Sequence, residues 1–203
     1  DPSAQPYQNL ELTGFYNSDI NLNNRRLTGY IQSTWERETD TSRIRITAGV
    51  RAHYWNFNDD LVISPRATIA YKPGWRRNDL MFRFSTGYYY QPPFYKELRG
   101  IDGGINPDLK AQKALHFVLG AEWNLFIWDR PFKLLGEIYY KDLQRLIPYS
   151  IDNVRVRYFN NLVSKGYAAG LDLKLHGEFV EDVESWVGLS IMQTHENIDG
   201  DHY

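Results

Sequence analysis

The chain has 203 residues, no cysteine and a formal net charge of -2, which excludes a disulfide scaffold, a cysteine-ligated metal site and the global basic field that nucleic-acid binding requires. No apolar run approaches the roughly 18 residues of a transmembrane helix. Asp1 to Pro6 is polar, so no signal peptide opens the sequence, and an exported protein would be processed or part of something longer.

The segments then alternate, and alternation at a period of two means a strand with one apolar and one polar face. The first sets Leu27, Gly29, Ile31, Ser33 and Trp35 against Thr28, Tyr30, Gln32, Thr34 and Glu36. The second is the most regular: Ile44, Ile46, Ala48, Val50, Ala52 and Tyr54 alternate with Arg43, Arg45, Thr47, Arg51 and His53. The third opposes Leu61, Ile63, Pro65, Ala67, Ile69 and Tyr71 to Ser64, Arg66, Thr68 and Lys72. Pro65 cannot donate to a ladder, so a bulge is expected there. The fourth places Leu80, Phe82, Phe84, Tyr88 and Tyr90 opposite Arg83, Ser85, Gly87, Tyr89 and Gln91. A fifth runs from Leu115 to Leu125, a sixth from Phe132 to Lys141 and a seventh from Tyr167 to Phe179. The eighth, about Ser185 to Thr194, is less regular, because Trp186 and Met192 fall out of phase with Val187, Leu189 and Ile191.

Strands of this length suit a bilayer, whose hydrocarbon core takes about 9 to 11 tilted residues, better than a soluble sheet, where about five or six is typical. The mean hydropathy of -0.54 does not oppose this, because only alternate residues of a barrel face lipid. Turns near Thr39, Gly74, Asp129 and Asp182 are short, whereas Gln91 to Lys113 and Asp142 to Lys165 are long. Short turns at one rim and long loops at the other describe an outer-membrane barrel. Asn56 to Asp60 departs from this, being short on the long-loop side. Aromatics near strand ends, among them Trp35, Tyr54, Trp55, Tyr71, Trp75, Trp123, Trp128, Tyr140 and Trp186, fit interfacial girdles. The fold class expected is therefore all-β, an antiparallel transmembrane meander, with Ile46, Val50, Phe82, Leu119 and Leu173 outward and Arg45, Arg83, Glu122 and Asp172 inward.

Arg43, Arg45, Arg51, Arg66 and Arg83 all project from the polar side of three consecutive strands. Charges facing lipid near midplane cost roughly 2 to 4 kcal/mol, so this face points to the lumen or to something filling it. The neighbouring strands offer few carboxylates, and the counterions expected are those of a lumen-filling domain or of more distant strands, with an anionic ligand as the alternative. Catalytic and metal chemistry finds little support. The five histidines are scattered without zinc spacing, Asp102 to Asp108 misses the calcium-loop pattern, and no nucleophile elbow or phosphate loop is present. His53 with Asp59 or Asp60 is the pairing an outer-membrane hydrolase would use. No metal, cofactor or enzyme activity is expected.

Gly49-Val50-Arg51, Ser64-Pro65-Arg66, the Gly87-Tyr88-Tyr89-Tyr90-Gln91-Pro92-Pro93 stretch with Glu97, Asn106-Pro107-Asp108-Leu109-Lys110, Leu119-Gly120-Ala121-Glu122 and Tyr139-Tyr140 follow in this order. Together they resemble the middle-to-late barrel of TonB-dependent outer-membrane receptors of Gram-negative bacteria. The resemblance implies a barrel of about 22 strands with a plug domain inside it, energised through TonB, in a bilayer of lipid and lipopolysaccharide. It also implies import of a small-molecule or glycan ligand. The sequence holds no counterpart of the plug, the TonB-contacting box, the early strands or the aromatic-ended last strand, so it reads as a fragment. Gln112 stands where the family usually has Glu.

Within that frame residues 1–26 are expected to form an extracellular loop or extension, 27–194 the barrel strands, and 195–203 the start of a further extracellular loop. Tyr89, Gln91, Phe94, Tyr95 and Glu97 climb from the fourth strand into a long loop and are the candidate ligand contacts, since ring faces bury much area with little rotamer entropy to lose. Alternatively, Tyr88 and Tyr90 belong to the lipid girdle and Pro92-Pro93 merely stiffens the loop. Other functional readings are a soluble carbohydrate-binding protein with two stacked sheets and a passive porin.

Overall fold

The computed structural model describes residues 19–75, 79–100, 103–152 and 154–198. β1 (Arg26–Thr39), β2 (Ser42–Trp55), β3 (Asp60–Pro73), β4 (Asp79–Gln91), β5 (Gln112–Ile127) and β6 (Arg130–Leu146) follow one another in an antiparallel meander. A small hairpin of β7 (Tyr149–Asp152) and β8 (Arg155–Tyr158) interrupts it, and β9 (Ser164–Val180) and β10 (Val183–Ile198) complete an eight-stranded sheet in the order β1-β2-β3-β4-β5-β6-β9-β10. β10 runs past Thr194 to Ile198. The sheet is open: β1 pairs with β2 and β10 with β9, and the two end strands do not meet.

Sequence alternation survives pairing because opposed residues share a face. Trp35, Ile46, Ile69, Phe84, Leu119, Ile138, Leu171 and Ile191 form one cross-strand row that visits every strand of the sheet. One residue along, Glu36, Arg45, Ala70, Arg83, Gly120, Glu137, Asp172 and Ser190 form the row on the opposite face. The irregularity read into the last strand is not a defect of register. Trp186 pairs with His176 and Met192 with Gly170, which puts both on the polar face while Val187, Leu189 and Ile191 keep the apolar one.

No second sheet covers the apolar row among the described residues, and Leu119 and Ile138 are 54% and 59% exposed. The stacked-sheet alternative therefore does not hold among the described residues, and an exposed apolar surface of this extent is of the kind that meets lipid or another protein. No helix is long and apolar enough to cross a membrane among the described residues, which says nothing about crossing by strands.

Trp128 and Asp129 both take positive φ (54° and 60°), the geometry of a two-residue type I′ hairpin, whereas between β9 and β10 Asp182 takes positive φ (57°) and Glu181 does not. Pro65 needs no bulge, contrary to expectation. The β2–β3 register is continuous through it, and its carbonyl faces Gly87 on β4, where the β3–β4 ladder ends at Arg66. Its missing N–H thus lies on the side where no ladder continues.

Candidate functional site

The buried hydrophobic cluster lies at the long-loop rim, while in the sheet burial is confined to scattered residues such as Val62 and Phe132. Trp55 at the end of β2 is 1% exposed and packs with Leu98, Leu109 and Ile147, with Leu22, Phe57, Ile105 and Tyr158 around them. Trp55 is therefore a loop-core residue and not part of a lipid girdle. Its ring stacks on Phe57 at 5.2 Å and lies 4.4 Å beneath the Arg26 guanidinium. Polar groups inside this cap are satisfied by asparagines. Asn160 Nδ2 donates to the Leu98 carbonyl at 2.6 Å, and Asn106 Nδ2 donates to the Asn160 carbonyl at 2.5 Å. Asn58 Nδ2 likewise donates to the Leu109 carbonyl at 2.8 Å. The two long loops and the β2–β3 turn are thereby one packed body.

That body positions the candidate contacts in different ways. A single-turn helix, α1 (Tyr95–Leu98), follows Pro92-Pro93. Phe94 and Tyr95 stand out from it, 60% and 54% exposed. Tyr95 Oη accepts from Asn24 Nδ2 at 2.9 Å. Glu97 points inward at 8% exposure, accepting from the Phe94 amide at 2.8 Å and from Gln112 Nε2 at 3.5 Å. Gln91 is exposed at the last position of β4, opposite Gln112. Tyr89 lies on the polar face, stacked on His116 at 4.2 Å, with the Arg66 guanidinium 4.2 Å above its ring. Gly87 permits this approach: a Cβ there would sit 2.8 Å from Arg66 Cγ. Tyr88 and Tyr90 pair with Leu115 and Lys113 on the apolar face.

All five arginines occupy the polar face; Arg43 and Arg45 depart from the expectation of a distant counterion, whereas Arg83 meets it with a carboxylate two strands away. Arg43 bonds Glu38 at 2.6 Å and approaches Glu36 at 3.5 Å, and Arg45 bonds Glu36 at 2.9 Å. Both carboxylates belong to the adjacent strand β1. Arg83 pairs with Glu137 of β6. Arg51 and Arg66 have no carboxylate partner among the described residues. Ion pairing on this face concentrates in the short-turn half of the sheet, where Lys72 also meets Asp79 at 2.5 Å and Lys133 meets Glu122 at 2.6 Å. A groove of about 450 Å³ opens there between Arg83, Glu122, Glu137, Lys174 and Trp186, over Gly120 and Gly188.

The hydrolase pairing is not formed. His53 Nδ1 is bonded to Thr28 Oγ1 at 2.8 Å, Asp59 accepts from Tyr54 Oη at 2.7 Å, and Asp60 accepts from the Ala111 amide at 3.1 Å. Asp102 lies outside the described residues. Among the described residues no three His, Asp or Glu side chains converge as a metal site. Sequence reading missed the asparagine ties and the His116 platform. It also missed the β7–β8 hairpin, whose Tyr149-Ser150-Ile151 alternation before Asp152-Asn153 was the available signal.

No curated protein matches the sequence. Among solved structures the chain is similar to one titled "Copper transporter OprC", at 13% identity and a TM-score of 0.60, over 88% of this chain and 29% of that one. The chain thus spans less than a third of that structure's length, and at this identity the likeness speaks for the fold alone. The family model described as TonB dependent receptor-like, beta-barrel, matches residues 1–200. With long antiparallel strands, an apolar face that no second layer covers and sheet edges left open, this chain belongs to the TonB-dependent receptor β-barrel family.

Proposed function

We propose that this chain forms adjoining barrel strands and two extracellular loops of an integral outer-membrane transporter that imports a specific ligand, a siderophore, vitamin, glycan or similar molecule, with energy coupled through TonB. The partners are the remaining strands, which would pair with the free edges of β1 and β10, and a plug domain in the lumen. An unpaired edge in lipid leaves backbone groups without partners, which argues for strands on both sides. Arg51 and Arg66, lacking carboxylates of their own, would meet acidic groups of the plug. The groove beside Arg83 and Glu137 gives the plug a concave seat.

The observation that carries the ligand assignment is the pair of exposed rings, Phe94 and Tyr95, on a loop held from beneath by a buried core. Tyr89 continues this aromatic surface down the lumen wall and Gln91 adds a polar group beside it. Glu97 acts from inside, fixing the turn that aims the rings. A rigid aromatic surface costs little entropy on binding. In the complete receptor, Tyr89→Ala, Phe94→Ala and Tyr95→Ala together remove three ring contacts worth about 1 kcal/mol each. TonB-dependent uptake, screened over ferric chelates, cobalamin and oligosaccharides, should then need roughly 100-fold more of the accepted ligand. Uptake unchanged in a normally assembled triple variant would remove this loop as the contact surface.

A further inference from the structure

On the apolar face, the rows nearest the long loops change character over three neighbouring strands. Phe117 of β5 and Tyr140 of β6 share a row with Ala169 of β9. The next row holds Leu115, Asp142, Tyr167 and His195, and the one beyond it Lys113, Gln144, Lys165 and Asn197. Arg145 follows Gln144 at φ 56°, where β6 slips register against β9 between Gln144 and Leu146. Three cations therefore stand just past the aromatic belt on strands about 4.8 Å apart. Rings hold two of them: the Lys113 ammonium lies 4.6 Å from the Tyr88 ring and the Arg145 guanidinium 5.8 Å from that of Tyr90.

No ion pair to a carboxylate is formed by Lys113, Arg145 or Lys165 among the described residues. Asp142, the carboxylate in these rows, accepts instead from Gln144 Nε2 at 2.6 Å. The corresponding rows of β1, β2 and β3, Leu27-Tyr54-Leu61 and Gly29-Ala52-Ile63, hold no cation, and the charge met by Tyr54 there is the carboxylate of Asp59. The basic patch is thus local to β5, β6 and β9, and it faces away from the lumen.

We propose that Lys113, Arg145 and Lys165 bind the phosphates of a phosphorylated glycolipid headgroup in the outer leaflet. A lipid is favoured over a soluble anion because the rows directly below are apolar. Phe117, Leu119, Ile138 and Leu171 would line the acyl chains while the cations meet the headgroup. Cations at this level attract anionic headgroups, and spreading them over three strands suits a headgroup with more than one phosphate. The proposal rests on the reading of the apolar face as lipid-facing.

The test uses the full-length receptor, stripped of native lipid and placed in phosphatidylcholine nanodiscs containing either bisphosphorylated lipid A or its dephosphorylated form. Bound lipid is counted by native mass spectrometry. Wild type should retain the bisphosphorylated form at least tenfold better than the dephosphorylated one. Lys113→Gln, Arg145→Gln and Lys165→Gln together should abolish that preference, and Lys113→Arg with Lys165→Arg should preserve it. Equal retention by wild type and the triple Gln variant overturns the proposal, as does displacement of the lipid by millimolar inorganic phosphate, which would mark a free-anion site. Lys165→Gln alone, at an exposed position, serves if the triple variant does not assemble, with a severalfold loss expected and no loss counting against the site. Heat-modifiable migration on gels reports barrel assembly separately, and a wild-type chain that never enters the nanodisc would defeat the lipid-facing reading itself.

Discussion

Glu137 of β6 reaches Arg83 of β4 across the whole width of β5, and it does so over Gly120, the residue of β5 that lies between them in the same row. A Cβ at Gly120 would rest 3.5 Å from Glu137, an ordinary contact. Gly120→Ala should therefore be tolerated, whereas Gly120→Leu should force the two charges apart and lower barrel stability by about 1 to 2 kcal/mol. Urea unfolding of the assembled receptor, followed by tryptophan fluorescence, checks this. Equal midpoints for the Ala and Leu variants would show that the crossing does not matter.

Gln112 faces the buried carboxylate of Glu97. The family's more usual Glu at this position would set two carboxylates against each other in a nearly dry site. Gln112→Glu should loosen the loop from Gln91 to Gln112, costing about 1 to 3 kcal/mol of local stability. Limited proteolysis should cut that loop at least tenfold faster, and an unchanged cleavage rate would contradict the role given to the pair.

The two faces of the sheet should answer oppositely to charge. Leu119→Arg places a guanidinium in the middle of the apolar row and should cost roughly 2 to 4 kcal/mol if that level is the bilayer midplane. Thr68→Lys, on the polar face beside Ser85, should cost well under that, about 0.5 kcal/mol. Folding titrations of the complete barrel into lipid vesicles distinguish the two, and similar penalties would mean that the apolar face does not meet lipid.

Asn160 joins the two long loops by donating to Leu98 and accepting from Asn106. Asn160→Ala leaves the Leu98 carbonyl without that donor and should loosen the packed loops by about 1 to 3 kcal/mol. Hydrogen exchange should speed up in both the α1 loop and the β7–β8 hairpin. Acceleration confined to one loop would show that they do not move as one body.

Alternation by itself determined the eight strands of the large sheet and their faces, though not the β7–β8 hairpin, because the period-two pattern is local and a long half-lipid, half-lumen strand repeats it many times. Trp186 and Met192 show where that local reading stops. They looked like irregularities in isolation and are ordinary polar-face residues once β10 is registered against β9. Counterions were decided only by tertiary structure. Glu137 lies 54 residues from Arg83 and meets it through two intervening strand pairings. The same holds for Glu97, read as a ligand contact but folded inward, and for Trp55, read as girdle but buried beneath loops whose asparagines find backbone partners 51 to 62 residues away. A strand's face follows from its own residues, whereas loop packing and charge pairing follow from register and chain return, which no single segment encodes.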